Sequence, residues 1–191
     1  TTPGRLVETA HALWRFDGTE RWRVGGSAAA QFTPGEGGLV LEVAPVAKDT
    51  GISLIEGSFA VKALGNPGTL TLNAELLSGK GARFSLRLRD AMGEIHPLAS
   101  KELQPGRNTL TWKLPDELRR PTWGQRTNGL FETPCYAHEL FFHQAPGAQP
   151  TRVRLEAASL TEALPLLEAI QLEVETGNPV HVLRVGDEGK L

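Results

Sequence analysis

A single cysteine, Cys135, stands among the 191 residues. One thiol cannot close an internal disulfide, so burial and hydrogen bonding alone must hold the fold. The chain has one methionine and one tyrosine, and aromatic residues make up only 6% of it. No apolar run approaches the ~20 residues that a helical membrane span requires. A basic surplus is missing as well. Twenty Lys and Arg face 22 Asp and Glu, for a net charge of −2, which argues against nucleic acid as the main partner. The usual catalytic signatures are absent: no phosphate-binding glycine loop, no Gly-x-Ser-x-Gly, no dinucleotide fingerprint and no His-Glu-x-x-His. A stand-alone enzyme is therefore disfavoured. The chain opens Thr1-Thr2-Pro3-Gly4, with neither an initiator Met nor a signal peptide. It reads as a processed form or a piece of something larger.

What is present is alternation. Thr69–Leu76, Arg83–Arg89, Thr109–Leu114 and Arg152–Ala157 each alternate polar and apolar residues without a fault. A period of two marks a strand with one buried and one wet face. Shorter candidates are Leu13–Asp17, Ala28–Phe32, Leu39–Val43, Ile52–Ile55, Phe59–Leu64, Glu139–His143, Ile170–Glu175 and Val180–Val185. The 21 Gly and 13 Pro cluster between them, as in Pro34-Gly35-Glu36-Gly37-Gly38 and Gly65-Asn66-Pro67-Gly68, where they set turns. Only Pro115–Arg120 and Thr161–Leu164 suggest a helical turn. Many short strands with such punctuation predict an all-β sandwich.

A change of character near Ala163–Glu168 divides the chain. Residues 1–163 are expected to form the sandwich. Residues 164–191 read as a linker and a hairpin around Thr176-Gly177-Asn178-Pro179, too short to bury a core of their own. They fit the start of a truncated second β domain or an appendage on the first.

Two segments carry a family resemblance. Leu13-Trp14-Arg15-Phe16-Asp17-Gly18-Thr19-Glu20-Arg21-Trp22 is similar to the opening of many carbohydrate-binding-module-like domains. Thr151–Leu160 resembles their closing strand. The resemblance spans residues 10–162 and implies a jelly-roll β-sandwich of the galactose-binding-like type, with first and last strands adjacent. It further implies a noncatalytic carbohydrate-binding module of a larger bacterial secreted or cell-surface protein, such as a glycoside hydrolase. Such domains often hold a structural calcium ion where those strands meet, and its acidic ligands map to Asp17 and Glu156. The pattern is incomplete, because Ala157 stands where a second Asp is common. Asp17 as a turn cap and Glu156 paired with an Arg is the competing reading.

Sugar rings stack on exposed aromatic faces, so the placement of four Trp and one Tyr matters. Trp112 is in phase with Leu110 and Leu114 and belongs to the core. Trp22 and Trp14 are expected inside as well. Trp123 lies in an irregular polar stretch and has no period-two reason to be buried. The run 119–143 is the least strand-like part of the chain. Its candidate ligand-binding residues are Trp123 and Tyr136 as platforms, with Arg126, Asn128, Glu132 and His138 as polar partners. The competing reading folds these aromatics inward as a plug. His138 and His143 are five apart, which on a regular strand puts them on opposite faces. Cys135 fits a small buried hydrophobe better than a nucleophile or a zinc ligand.

The wet faces of the long strands carry Arg83, Arg87, Arg89, Arg152, Arg154, Asn73, Glu75 and Glu156. They read as a solvated Arg/Glu ladder, or as a face that hydrogen-bonds an anionic sugar. At the level of the whole chain, the alternative to sugar binding is a structural domain that packs against other domains or subunits through residues 119–143 and 168–191.

Overall fold

Successive side chains of a strand point to opposite faces, so the alternating segments each offer one apolar face to a partner sheet. The computed structural model describes residues 6–26, 29–57, 66–147, 149–165, 170–172 and 181–183. Its strands are β1 (Leu6–Trp14), β2 (Trp22–Gly26), β3 (Ala30–Gly35), β4 (Gly38–Val43), β5 (Thr50–Glu56), β6 (Asn66–Ser78), β7 (Ala82–Arg89) and β8 (Glu94–Pro97). After these come β9 (Lys101–Glu102), β10 (Gly106–Lys113), β11 (Trp123–Gly124), β12 (Tyr136–Gln144), β13 (Thr151–Pro165), β14 (Ile170–Leu172) and β15 (His181–Leu183). A 3-10 turn, Thr19–Arg21, precedes β2.

The strands pair into two antiparallel sheets that form an all-β jelly-roll sandwich. The first sheet runs β10-β6-β13-β4-β3, and β1 also joins β13. The second runs β11-β8-β7-β12-β5-β2, and β9 also joins β7. The expected adjacency of first and last strands is present, with Thr9 opposite Glu162 and His11 opposite Leu160.

The core lies between the inner faces. Leu70, Leu72 and Trp112 of the first sheet meet Phe84, Leu86, Leu88, Leu140 and Phe142 of the second, all buried. Three of the four Trp are inside, Trp112 and Trp14 as their phase predicts and Trp22 as the resemblance implies. Trp22 stacks on Phe16 at 5.0 Å and meets Trp14 edge-on at 5.9 Å. Their polar atoms are satisfied: Trp22 Nε1 donates to Arg15 O at 3.2 Å and Trp112 Nε1 to Ala99 O at 2.6 Å. Each such ring contributes both area and a geometric contact.

Several local expectations change. The first strand ends at Trp14 rather than Asp17. Alternation fails inside β13, where register shifts fall between Leu155 and Ala157 and between Leu160 and Glu162. A bulge inserts one residue and reverses the phase, so Ala157 is exposed while Ala158 is buried. Thr161–Leu164 is strand, not a helical turn, and β13 runs through position 163 to Pro165. Pro115–Arg120 forms turns, with Glu117 N donating to Lys113 O and Leu118 N to Pro115 O. The strand expected at Phe59–Leu64 lies outside the described residues. Of the expected C-terminal hairpin, Ile170–Leu172 pairs with His181–Leu183; its turn and remaining residues lie outside as well.

Candidate functional site

Residues directly opposite one another in a sheet share a face, so the ladders of the second sheet can be followed row by row across its outer surface. In one row Trp123 of β11 opposes Ile95 of β8, Ile95 opposes Arg89 of β7, and Arg89 opposes Tyr136 of β12. The next row is Pro97, Arg87 and Glu139. A third is Ser85, Phe141, Ser53 and Gly25, across β7, β12, β5 and β2. A fourth is Arg83, His143 and Gly51. Four strands therefore bring Trp123 and Tyr136 onto one surface, although 13 positions separate them in the chain.

The aromatic groups are set by local geometry. Trp123 is 38% exposed; it and Leu130 are the exposed large hydrophobic residues among the described residues. Gly124 follows it at φ +128, and a Cβ there would lie 2.3 Å from Gly93 O. Glycine alone permits this close approach of β11 to the end of β8. Phe141 lies over the backbone of Gly51, where a Cβ would come within 2.5 Å of the ring. The phenyl ring meets His143 at 4.7 Å, edge-on.

Between these rings sits Arg87. Its guanidinium carbon is 3.9 Å from the Phe141 centroid and 5.1 Å from that of Trp123. Cations are drawn to the negative face of aromatic rings. Glu139, only 5% exposed, accepts hydrogen bonds from Arg87 Nη1 and from Ser53 Oγ. The carboxylate thus fixes the arginine, and the arginine spaces the two rings.

His138 is the extra residue of a bulge: Ala137 opposes Leu88 and Glu139 opposes Arg87, leaving 138 without an opposite residue. The five-residue spacing therefore does not put His138 and His143 on opposite faces, because the bulge changes the phase. Burial pushes the His138 imidazole below its ordinary value, as do Arg89 and Arg87, against Glu139. Burial does the same to His143, with Arg83 and Arg87, against Asp49. Both rings are held toward the neutral form.

The loop carrying Trp123 is tied down from below. Glu94, fully buried, accepts from Asn128 N at 2.8 Å and Gly129 N at 3.0 Å. Burial works to raise its carboxyl, but the bonds from Thr122, Asn128 and Gly129 and the charge of His96 hold it below the usual range. Asp90 Oδ1 accepts from Met92 N and Glu94 N, each at 2.9 Å, and its Oδ2 lies 3.0 Å from His96 Nε2. Asp90, Glu94 and His96 are the only three His, Cys, Asp or Glu ligand atoms that converge among the described residues. Their oxygens already receive hydrogen bonds, so the trio acts as an anchor for the loop.

The remaining candidates divide. Asn128 shapes the loop, its Oδ1 accepting from Leu130 N at 2.7 Å. Arg126 is exposed in the same loop. Glu132 accepts through its backbone from Ala91 N at 3.3 Å, and its Oε2 is buried without a hydrogen-bond partner. Cys135 is buried, and burial pushes its thiol up to about 12, with further effect from Glu162 and Asp90. Such a thiol is inert as a nucleophile.

Asp17 and Glu156 do line one surface cleft, beside Phe16 and Gly38. Asp17 faces Arg21 at 3.8 Å, and Glu156 faces Arg107 at 3.9 Å. Calcium takes about six to eight oxygens. Asp17 and Glu156 are the two carboxylates that this cleft supplies, each with an arginine beside it.

Glu139 and His143 belong to the candidate run 119–143 without being singled out as ligands, and Phe141 was missed. Leu140, Phe141 and Phe142 are three apolar residues in a row, so the sequence does not say which of them faces out. The outer face of the second sheet is open rather than pocketed. A hollow of about 570 Å³ lies instead on the first sheet, around Gln31, Glu42 and Arg152. Those three are already bonded to one another, Gln31 Nε2 to Glu42 at 3.4 Å and Arg152 Nε to Glu42 at 3.1 Å.

No protein-family model and no curated protein sequence matches the chain. Solved structures do. The family 11 carbohydrate-binding module from Clostridium thermocellum, in complex with a β-1,3-1,4-mixed-linked tetrasaccharide, aligns with a TM-score of 0.59. It is 13% identical, over 82% of this chain and 98% of that one. The chain has a carbohydrate-binding-module-like fold. The solution structure of CtCBM11 aligns with this module-like sandwich at a TM-score of 0.56 and 15% identity, over 81% and 96%. The family 11 module of the cellulosomal cellulase Lic26A-Cel5E of Clostridium thermocellum gives 0.55 and 13%, over 80% and 94%. At such identities the likeness is one of fold, and function has to be argued from the site.

Proposed function

We propose that the chain is a noncatalytic carbohydrate-binding module that holds a polysaccharide across the outer face of its second sheet. The observation that carries this reading is the row Trp123–Ile95–Arg89–Tyr136. It sets an exposed indole, a guanidinium and a phenol in one row of the sheet, with Ile95 between the indole and the guanidinium. Pyranose rings present C–H groups that stack on aromatic faces, and their hydroxyls require planar polar partners. Trp123, Tyr136 and Phe141 supply the first; Arg87, Arg89 and His143 supply the second. Arg126, Asn128, Glu132 and His138 extend the polar rim along the loop and the bulge. The fold shared with family 11 modules supports the reading.

The module belongs, in this reading, to a larger bacterial secreted or cell-surface protein such as a glycoside hydrolase. Residues 164–191 are then a linker and a hairpin that opens another β domain. The sequence resemblance supports this wider setting.

Affinity gel electrophoresis against a panel of plant, algal and animal polysaccharides tests the proposal. At least one should retard the chain, and Trp123→Ala should reduce that retardation tenfold or more without moving the melting temperature by more than ~2 °C. A flat response to the whole panel would favour the second reading, packing against another domain, for which the 62% exposure of Leu130 is the supporting observation.

A further inference from the structure

The charge on this face is not balanced, and the imbalance is local. Arg23, Arg83, Arg87 and Arg89 all project from it, through the rows above and through Arg23 opposite Ile55. Arg87 is neutralised by Glu139. Arg83 has Asp49 at 3.9 Å and Glu102 opposite it on β9. Arg89 has neither. Among the described residues no carboxylate lies within ion-pair distance of it, and its Nε is buried without a hydrogen-bond partner. It stands in the row between the Trp123 and Tyr136 platforms. A buried guanidinium N–H left without an acceptor is costly unless something receives it. The first sheet shows the ordinary arrangement, with Arg107, Arg152 and Arg154 each facing a glutamate, even though the Arg154 Nε is also buried without a hydrogen-bond partner.

We infer that the ligand is an acidic polysaccharide, whose carboxylate or sulfate groups are received by Arg89 while its rings lie on Trp123 and Tyr136. This rests on the carbohydrate-binding reading and names its ligand class. A guanidinium fork matches both anions in geometry, as a point-charge ammonium does not. Arg23, exposed on the far edge strand, adds charge to the same surface. From β11 to β2 the face spans five strand spacings, roughly 24 Å, so it suits a chain rather than a single sugar.

The test uses three polymers in affinity gel electrophoresis at fixed salt: polygalacturonate for carboxylate, a sulfated galactan for sulfate and a neutral mixed-linkage β-glucan. The whole chain should be held at least tenfold more tightly by one of the acidic polymers than by the neutral one. Which acidic polymer it is identifies the anion. Arg89→Gln should lose tenfold or more of that affinity, and Arg89→Lys, which keeps the charge and most of the volume, should lose an intermediate amount. Arg152→Gln on the other sheet should lose none. Circular dichroism of each variant establishes that it is folded, and Arg89→Lys keeps the test alive if Arg89→Gln is not. Binding of the neutral glucan alone, or as tightly as the acidic polymers, overturns the inference and leaves the module reading standing. Equal losses in Arg89→Gln and Arg152→Gln overturn it too, as diffuse charge attraction. Binding of none of the three at any salt overturns it, and the wider panel then decides the module reading separately.

Discussion

The outer faces of the two sheets are built from the same residue types and do opposite things with them. On the first sheet each arginine meets a glutamate: Arg154 and Glu75 at 2.9 Å, Arg152 and Glu42 at 3.1 Å, Arg107 and Glu156 at 3.9 Å. Asn73 and Thr109 pair beside them at 3.0 Å. Pairs of this kind contribute little, about 0–1 kcal/mol each, but they leave each arginine with a carboxylate partner. On the second sheet the arginines are interleaved with rings. One is locked by a buried glutamate between Phe141 and Trp123, and another is left unpaired. The second sheet thus joins aromatic area and an arginine without a carboxylate partner on one surface, and the first sheet does not.

The largest expected break in this contrast lies between two neighbours in the chain. Phe142 points into the core, 5.0 Å from Phe84, and Phe141 points out. Phe142→Ala should lose about 3–5 kcal/mol of stability in urea denaturation. Phe141→Ala should lose about 1 kcal/mol or less and should weaken polysaccharide retention instead. Comparable stability losses in the two variants would mean that the outer ring is structural.

A smaller difference separates the ion pairs. Glu139→Gln removes the fixed partner of Arg87 from a nearly buried site and should cost about 1–3 kcal/mol. Glu75→Gln, its counterpart on the first sheet, should cost no more than about 1 kcal/mol. Denaturation midpoints for both variants, measured side by side, check this, and equal midpoints would count against a special role for Glu139.

The smallest effect is a pH dependence confined to the second sheet. His138 and His143 have folded values below their ordinary ones. The unfolded chain therefore binds protons first as pH falls, and stability declines from about pH 6.5 downward while staying level above it. Replacing both with Asn should flatten the slope of stability between pH 7.5 and 5.5. An unchanged slope in the double variant would assign the effect to other groups.

The strands were largely legible in the sequence. Thr69–Leu76 and Arg83–Arg89 alternate without a fault and lie within β6 and β7, and Thr109–Leu114 lies in β10 but for Leu114. Where bulges intervene the same rule misleads. Ala157 reads as inner and is exposed, and His138 reads as facing away from His143 when the extra residue removes that parity. Bulges leave little trace in composition, because the inserted residue is an ordinary one. Of the site, Trp123 and Tyr136 were legible because neither had an apolar periodicity to bury it. Phe141 was not, since Leu140, Phe141 and Phe142 are three apolar residues in a row and alternation cannot choose among them.

By itself the sequence determined the class of fold, the burial of Trp112 and Trp14, and the loop that reaches solvent. Each of these follows from local period and turn chemistry. Only the tertiary structure decided the platform. Its rows draw on β11, β8, β7, β12, β5 and β2, strands scattered from Trp22 to Gln144. Their adjacency is set by hydrogen-bond register between distant segments, a property that no single segment carries.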